Sequence, residues 1–305
     1  MKKKIIVLIP CLNEELTIGK VVDTFKKRLP SSKIFVYDNG SNDSSRKIAQ
    51  KHGAEVISVI SKGKGNVVKK MFSDFHDGDY FVMVDGDDTY DISKINQMLD
   101  IMSKEELDMI VGSRKHNDPN AYRKGHVVGN FFFSKLVALI FGNKIKDIFS
   151  GFRIFSRRFI KTFPLHSRGF EVEAELTIHA LEQRLSVKEL DCNYNARKDG
   201  SSSKLNTYRD GIRILKLILI LFKDERPLLF FSFLSLLFIV SSLLIGVPII
   251  LEFYETKLVE RLPSAVLAGF LMVLGVISFF SGLILDVIKK MRYENKYLNY
   301  LLVKK

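Results

Sequence analysis

Tyr80-Phe81-Val82-Met83-Val84-Asp85-Gly86-Asp87-Asp88 joins an apolar run to three carboxylates. The first five residues read as a buried strand, and the acidic residues fall where that strand meets solvent. On an extended backbone Asp85 and Asp87 share a face, because side chains alternate with a period of two. Gly86 between them lets a ligand approach the backbone closely. Hard oxygen pairs of this kind suit Mg²⁺ or Mn²⁺, with substrate phosphates completing the shell. Taken alone, the triplet reads equally well as a solvated acidic turn, since short acidic motifs are common. The surrounding chain separates the two readings.

Upstream, Ile5 to Ile9 is a continuous apolar run, and Thr17 to Leu29 then carries helical spacing through Ile18, Val21, Val22 and Phe25. Ile34 to Tyr37 is a second strand ending at Asp38-Asn39-Gly40-Ser41, and Ser44 to His52 a short helix closed by Gly53. Val56 to Ile60 is a third strand, followed by a helix over Asn66 to Phe75, the Tyr80 to Val84 strand, a helix over Ser93 to Met102 and a strand over Asp108 to Val111. Alternation of this kind predicts an α/β fold with a mostly parallel sheet, whose ligands bind at the carboxyl ends of the strands. Asn13-Glu14, Asp38, Lys62-Gly63-Lys64-Gly65 and Asp85-Gly86-Asp87 all fall at such ends.

Each cluster also has a plainer reading. Asp38-Asn39-Gly40-Ser41 is a good turn and helix cap. Gly63-Lys64-Gly65-Asn66 is a flexible connection or, before a helix N-terminus, a phosphate cradle. It lacks the third glycine of a dinucleotide fingerprint and the GK[ST] of an NTPase loop. Four clusters at four consecutive strand ends would project into one crevice, which favours a shared ligand.

The remaining third is of a different character. Leu228 to Leu251 and Ala265 to Leu285 contain no charged residue, and at about 1.5 Å per residue each is long enough to cross a hydrocarbon core of about 30 Å. The expectation is a transmembrane hairpin, with a buried soluble helix pair as the alternative. The loop between them balances Lys257 and Arg261 against Glu252, Glu255 and Glu260, whereas Lys223, Arg226, Lys289, Lys290, Arg292 and Lys296 lie outside. That bias predicts a multi-pass protein of the cytoplasmic (inner) membrane with both termini in the cytoplasm. The formal charge of +13 on 305 residues then answers anionic lipid and an anionic substrate, with no nucleic acid as partner. The segment Met1 to Ile9 reads as a first strand, not a secretory signal, because Pro10 and Asn13-Glu14-Glu15 interrupt it. Cys11 and Cys192, far apart, suggest neither a disulfide nor a zinc site.

Pro10-Cys11-Leu12-Asn13-Glu14-Glu15, Asp38 with Gly40-Ser41 and Asp43, and Asp85-Gly86-Asp87 at this spacing resemble family 2 inverting glycosyltransferases of the GT-A fold. More narrowly, the chain resembles the polyprenyl-phosphate hexosyltransferases, the dolichol-phosphate mannose synthases and undecaprenyl-phosphate glucosyltransferases. The resemblance spans roughly residues 4 to 220, and the hairpin matches the membrane-anchored members. It implies a Rossmann-like GT-A domain over 1–206, a juxtamembrane amphipathic helix over 207–226, two transmembrane helices within 227–290 (about 228–251 and 265–288) and a basic tail over 291–305.

Carried over residue by residue, the resemblance implies that Pro10, Leu12, Asn13 and Glu14 line the base and ribose pocket of a nucleotide-sugar donor, UDP- or GDP-linked, and that Asp38 bonds the nucleobase. Asp85 and Asp87, with Gly86 between them, would hold Mg²⁺ or Mn²⁺ against the donor diphosphate, with Lys64 as a further donor contact. Tyr37 and Asn39 stand where acidic neighbours of Asp38 are common in the family, and Gly86 replaces its usual alanine. Gly112-Ser113-Arg114, Asp147 with Ser150-Gly151-Phe152-Arg153, and Arg197 with Gly200 and Ser203-Lys204-Leu205 match the later motifs. Arginine suits a phosphate because its fork donates two parallel bonds. Arg114, Arg153, Arg197, Ser203 and Lys204 are therefore the candidates for gripping a polyprenyl phosphate, and a surface salt bridge is the alternative for Arg114, Arg197 and Lys204.

Thr207 to Phe222 carries Arg209, Arg213 and Lys216 on one face and Ile212, Leu215, Leu219 and Phe222 on another, the pattern of a helix lying at a bilayer surface. Gly129 to Phe141 is a second interfacial helix or a core helix. The chemistry expected is in-line attack of the lipid phosphate on the anomeric carbon with inversion, the divalent cation offsetting charge on the departing diphosphate. A phosphate monoester with a second pKa of about 6 is largely ionised at neutral pH, so Asp147 is either a general base or an orienting group. The product, a lipid-phosphate-linked sugar, would serve cell-envelope glycan modification. The alternatives are a membrane-tethered nucleotide-sugar binding module without turnover, and a processive polysaccharide synthase, against which the absence of Trp counts. The six histidines show no ligand spacing. Hairpins of this kind pack between subunits, which leaves a homo-oligomer open.

Overall fold

The computed structural model describes residues 3–74, 77–116, 135, 137, 145–164, 172–195, 219–220 and 222–303. The chain divides into two compact units, residues 1–214 with 296–305, and 215–295.

The first unit begins β1 (Ile5–Cys11), α1 (Ile18–Arg28), β2 (Lys33–Asp38), α2 (Ser45–Lys51), β3 (Glu55–Ser58), α3 (Lys64–Ser73), β4 (Tyr80–Met83), α4 (Ile95–Lys104) and β5 (Met109–His116). It continues with β6 (Arg153–Ser156), α5 (Arg157–Thr162), α6 (Val172–Glu182) and β7 (Val187–Tyr194). The seven strands form one sheet in the order β3-β2-β1-β4-β6-β5-β7. β1 pairs in parallel with β2 and β4, β2 with β3, and β5 with β7; β6 alone is antiparallel, to both β4 and β5.

Period-two alternation gives the sheet its two buried faces. Val7, Ile9 and Cys11 of β1 pack under α1 and α4, with Ile18, Val22, Phe25, Ile95 and Met98. Ile6 and Leu8 face the opposite layer, with Val67, Val68 and Met71 of α3, Phe159 and Ile160 of α5 and Leu176 of α6. The apolar runs read as strands are continuous for this reason: a sheet covered on both faces has no solvent side to alternate with.

The reversed β6 matters for function. β1, β2, β4 and β5 all point their carboxyl ends to one edge of the sheet, and an antiparallel strand presents its amino end there. The segment before β6, Asp147 to Phe152, therefore arrives at the same edge as the ends of β1 to β5. A purely parallel sheet would have sent it to the far side.

The second unit holds α7 (Pro227–Thr256) and the larger part of α8 (Leu262–Leu302). Both are long and apolar enough to cross a membrane. Small residues make up most of the buried positions described on these helices, Ser235 and Ser242 of α7 and Ala268, Gly275, Ser278 and Gly282 of α8, with Pro227 and Ile249 of α7 buried as well. A Cβ at Gly275 would stand 2.7 Å from Ile239, and one at Gly282 2.9 Å from Phe231, so the glycines permit the close approach. Ser242 Oγ donates to the Ala268 carbonyl at 2.7 Å. The large apolar side chains of both helices, among them Phe233, Leu244, Phe270 and Ile284, point outward and are exposed. A water-soluble helix pair would turn those side chains inward.

α8 runs on unbroken to Leu302, through the stretch expected as a tail. Its last turns belong to the first unit. There Lys296 Nζ meets Glu182 at 2.7 Å, Tyr300 donates its hydroxyl to Asp108 at 2.8 Å, and the Arg158 guanidinium lies over the Tyr300 ring. Asp108 precedes β5 and Glu182 ends α6, so this contact is made at the amino edge of β5, away from Arg114.

Candidate active site

The loop after β1 is held to the loop after β2 by short side chains. Asn13, with φ of 52°, donates its backbone N–H to Ser41 Oγ at 2.9 Å, and its own Oδ1 accepts from the Asn42 N–H at 2.8 Å. The Glu14 N–H donates to Ser45 Oγ at 2.7 Å. Asp38 ends β2 almost fully buried, accepting from the backbone N–H groups of Gly40 and Ser41 at 3.2 and 3.3 Å. Arg46 Nε lies 3.6 Å from Asp38 Oδ2. Pro10 is buried within β1 in register with Tyr37, and Leu12, Asn13 and Glu14 follow it at the sheet edge. The structure thus brings Pro10, Leu12, Asn13, Glu14 and Asp38 together at two adjacent strand ends.

Asn39 has a definite role. Its Nδ2 donates to the carbonyls of Val59 and Ser61, and its Oδ1 accepts from the Gly63 N–H at 2.7 Å. One buried amide therefore ties β2 to the turn that launches α3. Gly63, with φ of 115°, sits in the left-handed region that only glycine adopts without strain. The helix starts at Lys64, so Gly65 lies inside α3 instead of in the loop that the sequence suggested.

Lys64 Nζ reaches Asp85 Oδ1 at 2.5 Å and Glu173 Oε1 at 2.5 Å. Burial alone would lower the Lys64 ammonium, but the Asp85 and Glu173 carboxylates outweigh it and hold the lysine well above its ordinary range. Glu173, near the start of α6, is buried, and its carboxyl is pushed up by burial against the opposing pull of Lys64. Its second oxygen, Oε2, has no hydrogen-bond partner. Sequence reasoning missed Glu173, because Glu171-Val172-Glu173-Ala174-Glu175 reads as the charged start of an exposed helix and only the fold turns position 173 inward.

Asp87 is nearly buried, with Oδ1 accepting from the Thr89 hydroxyl at 2.6 Å. Thr17 donates its hydroxyl to the Gly86 carbonyl at 2.7 Å, which fixes the turn between the two aspartates. Gly151 lies directly against Asp85: a Cβ there would stand 2.4 Å from Asp85 Oδ2. The Gly151 N–H donates to the buried Tyr90 hydroxyl at 2.8 Å. Gly151 was read as part of an acceptor motif, and its backbone in fact abuts the acidic pair.

Asp147 and Arg114 form a fork, Nε to Oδ2 and Nη2 to Oδ1, both 2.7 Å, and the Arg114 backbone N–H adds a third bond at 3.1 Å. Burial raises the Asp147 carboxyl, but the Arg114 bonds and charge prevail and hold it below its ordinary range. Arg153 faces the interior. Fully buried, it donates from Nε to the Ser150 carbonyl at 2.9 Å, from Nη2 to the Ile148 carbonyl at 2.6 Å and from Nη1 to Thr177 Oγ1 at 2.8 Å. Burial brings its guanidinium down to about 10. Its donors hold the segment before β6 in place. Arg197, Ser203 and Lys204 lie outside the described residues, as do nearly all of 129–141 and 207–222.

Two hard carboxylates, a lysine and a helix start at one sheet edge are a donor set for an anionic ligand with a divalent cation. Among the described residues no group of three or more His, Cys, Asp and Glu side chains is arranged to cage a metal by itself. Asp85 and Asp87 therefore fit Mg²⁺ or Mn²⁺ of the kind that is completed by substrate phosphates, and would not fit a closed structural site.

Residues 6–163 match the family model for glycosyl transferase family 2. The chain belongs to that family. A glycosyltransferase of Haloferax volcanii, AglJ, is 29% identical over 290 residues, covering 94% of each chain. The dolichyl-phosphate hexose transferase of the same organism is 26% identical over 214 residues, covering 70% of this chain and 92% of its own. Among solved structures, glucosyl-3-phosphoglycerate synthase from Mycobacterium tuberculosis, in complex with Mn²⁺, UDP and glucosyl-3-phosphoglycerate, superposes with a TM-score of 0.57 at 21% identity, over 72% of this chain and 79% of that one. That likeness identifies the GT-A architecture. In this family 2 glycosyltransferase the candidate site residues lie at the edge formed by the ends of β1, β2 and β4 and the segment before β6, and the two apolar helices lie largely in the second unit.

Proposed function

We propose that this glycosyltransferase moves a hexose from a UDP- or GDP-linked donor to a polyprenyl phosphate, with inversion at the anomeric carbon. One observation carries the reading: Asp38 at the end of β2, Lys64 at the start of α3 and Asp85 just after β4 lie at the same edge of the sheet as Arg114 of β5, in a chain that also holds two membrane-length helices. A donor for charged diphosphate and a lipid-borne acceptor account for both halves. The relatives named for dolichyl-phosphate chemistry support the acceptor class.

In this reading the buried Asp38 carboxylate, fixed by two backbone N–H groups, bonds the base, and Pro10, Leu12, Asn13 and Glu14 border base and ribose. Asp85 and Asp87 hold Mg²⁺ or Mn²⁺. When bound, the cation offsets charge on the departing nucleoside diphosphate. Lys64 adds a positive charge on the donor side. Arg114, with Arg197, Ser203 and Lys204, binds the acceptor phosphate. Asp147 has both oxygens on Arg114 and a carboxyl held below its ordinary range, so it is a weak proton acceptor at neutral pH. We assign it the orienting role. The acceptor is already ionised at that pH, with a second pKa of about 6, and needs no base. Arg153 supports the loop that carries Asp147 and Gly151.

The two apolar helices and their basic flanks support a location in the cytoplasmic membrane with both termini inside. The test is direct. Purified full-length protein is incubated with radiolabelled UDP- and GDP-hexoses and undecaprenyl phosphate, and a chloroform-soluble labelled lipid is expected that is lost in chelator. Full transfer in chelator would sink the cation reading, and no lipid product from any donor would sink the acceptor class.

A further inference from the structure

We infer that Glu173 is a positioning residue for the cation site, holding Lys64 between two carboxylates so that the lysine charge does not cancel Asp85 as a ligand. This deepens the proposed function and rests on its reading of Asp85 and Asp87. The geometry is a bridge: Lys64 Nζ stands 2.5 Å from Asp85 Oδ1 and 2.5 Å from Glu173 Oε1. An ammonium has three donors and no acceptor, so it serves both carboxylates at once. With Glu173 present, Asp85, Asp87, Glu173 and Lys64 carry a net charge of two negatives, matching a divalent cation. Without it, Lys64 pairs with Asp85 alone, and the same group carries one.

Glu173 is costly to keep for packing alone. It is only 4% exposed, and its Oε2 has no hydrogen-bond partner. A buried acceptor left unsatisfied costs about 1–3 kcal/mol, and an apolar residue of similar volume often does as well in place of a buried ion pair. Its place near the start of α6, packed beside α3, puts it within reach of Lys64 and sets the lysine against the end of β4. Glu173 touches no reacting atom in this arrangement. It acts through Lys64.

The experiment measures Mn²⁺ binding to full-length protein in detergent, by the electron paramagnetic resonance signal of free Mn²⁺, with UDP and, separately, GDP present at fixed concentration to complete the cation shell, no acceptor added, and the same nucleotide without protein subtracted. Glu173→Gln keeps the shape and removes the charge. It is expected to raise the Mn²⁺ dissociation constant by about 10-fold or more, as losses of outer partners of metal ligands do. Lys64→Gln is expected to tighten Mn²⁺ binding. The double variant Lys64→Gln/Glu173→Gln restores the net charge and should return to within about threefold of wild type, the signature of coupled neighbours. A purely structural role for Glu173 gives no such rescue. Wild-type Mn²⁺ affinity in Glu173→Gln, or a double variant far from the wild-type value, overturns the inference while leaving the proposed reaction intact. Because the double variant buries no unpaired charge, it keeps the test decisive if Glu173→Gln alone does not fold. A wild-type protein that binds no Mn²⁺ overturns the cation reading itself, and this inference with it.

Discussion

Replacing Gly151 with alanine puts a methyl carbon 2.4 Å from Asp85 Oδ2 and 2.9 Å from Asp85 Cγ. Ordinary contact needs about 3.5 Å, so one partner must retreat by about 1 Å. Gly151 has little room to do so, since its N–H is bonded to the buried Tyr90 hydroxyl at 2.8 Å and the next residues enter β6. The Asp85 carboxylate is the mobile partner, and it moves away from the position in which it meets Lys64. Misplacement of a reacting constellation by about 1 Å costs about 100-fold in rate, while overpacking costs about 1–3 kcal/mol in stability. Initial rates of labelled hexose transfer to undecaprenyl phosphate at saturating donor read the first effect, and thermal melting reads the second. Gly86→Ala is the control: its Cβ would meet Ile18 Cδ1 at 3.3 Å and the Pro10 carbonyl at 3.4 Å, and the isoleucine tip can yield. Gly151→Ala should lose about 100-fold in rate while Gly86→Ala loses far less. A Gly151→Ala enzyme with the wild-type rate would refute the placement of Asp85 as a functional ligand.

Asp87→Asn should abolish transfer and Mn²⁺ binding with little change in melting temperature; retention of both would remove Asp87 from the cation site. Arg114→Met should leave Asp147 buried without its fork and cost about 3–5 kcal/mol, read by denaturant unfolding. The pH dependence has a definite sign. The folded Asp147 carboxyl lies below its ordinary value of 3.8, so its contribution is present above that value and is lost as pH falls through the folded value. Wild type should therefore lose stability on acidification through this window, and Arg114→Met should lack that part of the acid limb; unchanged acid melting would show that the fork contributes nothing. At the far edge of the sheet, Tyr300→Phe removes the hydroxyl bond to Asp108 and should cost about 1 kcal/mol, measured by melting, with transfer kinetics unchanged.

The strands and helices from Ile5 to Val111 were legible because each buried strand is an uninterrupted apolar run and each helix repeats its apolar face. β6 was not. Arg153-Ile154-Phe155-Ser156 is four residues long and opens on a charge, so it read as a phosphate-binding motif. Its burial depends on carbonyls of Ile148 and Ser150 and on Thr177, residues distant in sequence or in a loop. Gly65 was placed in a glycine- and lysine-rich connection before a helix starting at Asn66, yet α3 already includes it, with Gly63 at its N-cap. The Asp85-Gly86-Asp87 motif, Lys64 and Asp38 were visible because strand ends in a parallel sheet share an edge.

The sequence by itself determined the layered α/β domain, the acidic pair at the end of β4 and the two apolar helices, since periodicity and uncharged length are local properties. Tertiary structure decided which side chains meet: Glu173 on Lys64, Gly151 against Asp85, Asp147 on Arg114, and Arg153 turned into the core. Those pairings join residues far apart in the chain, and those of Gly151 and Asp147 depend on the antiparallel β6, whose reversed direction no local pattern encodes. Burial then fixes their charges, because a carboxylate or guanidinium removed from water must find its partner wherever the fold has placed one.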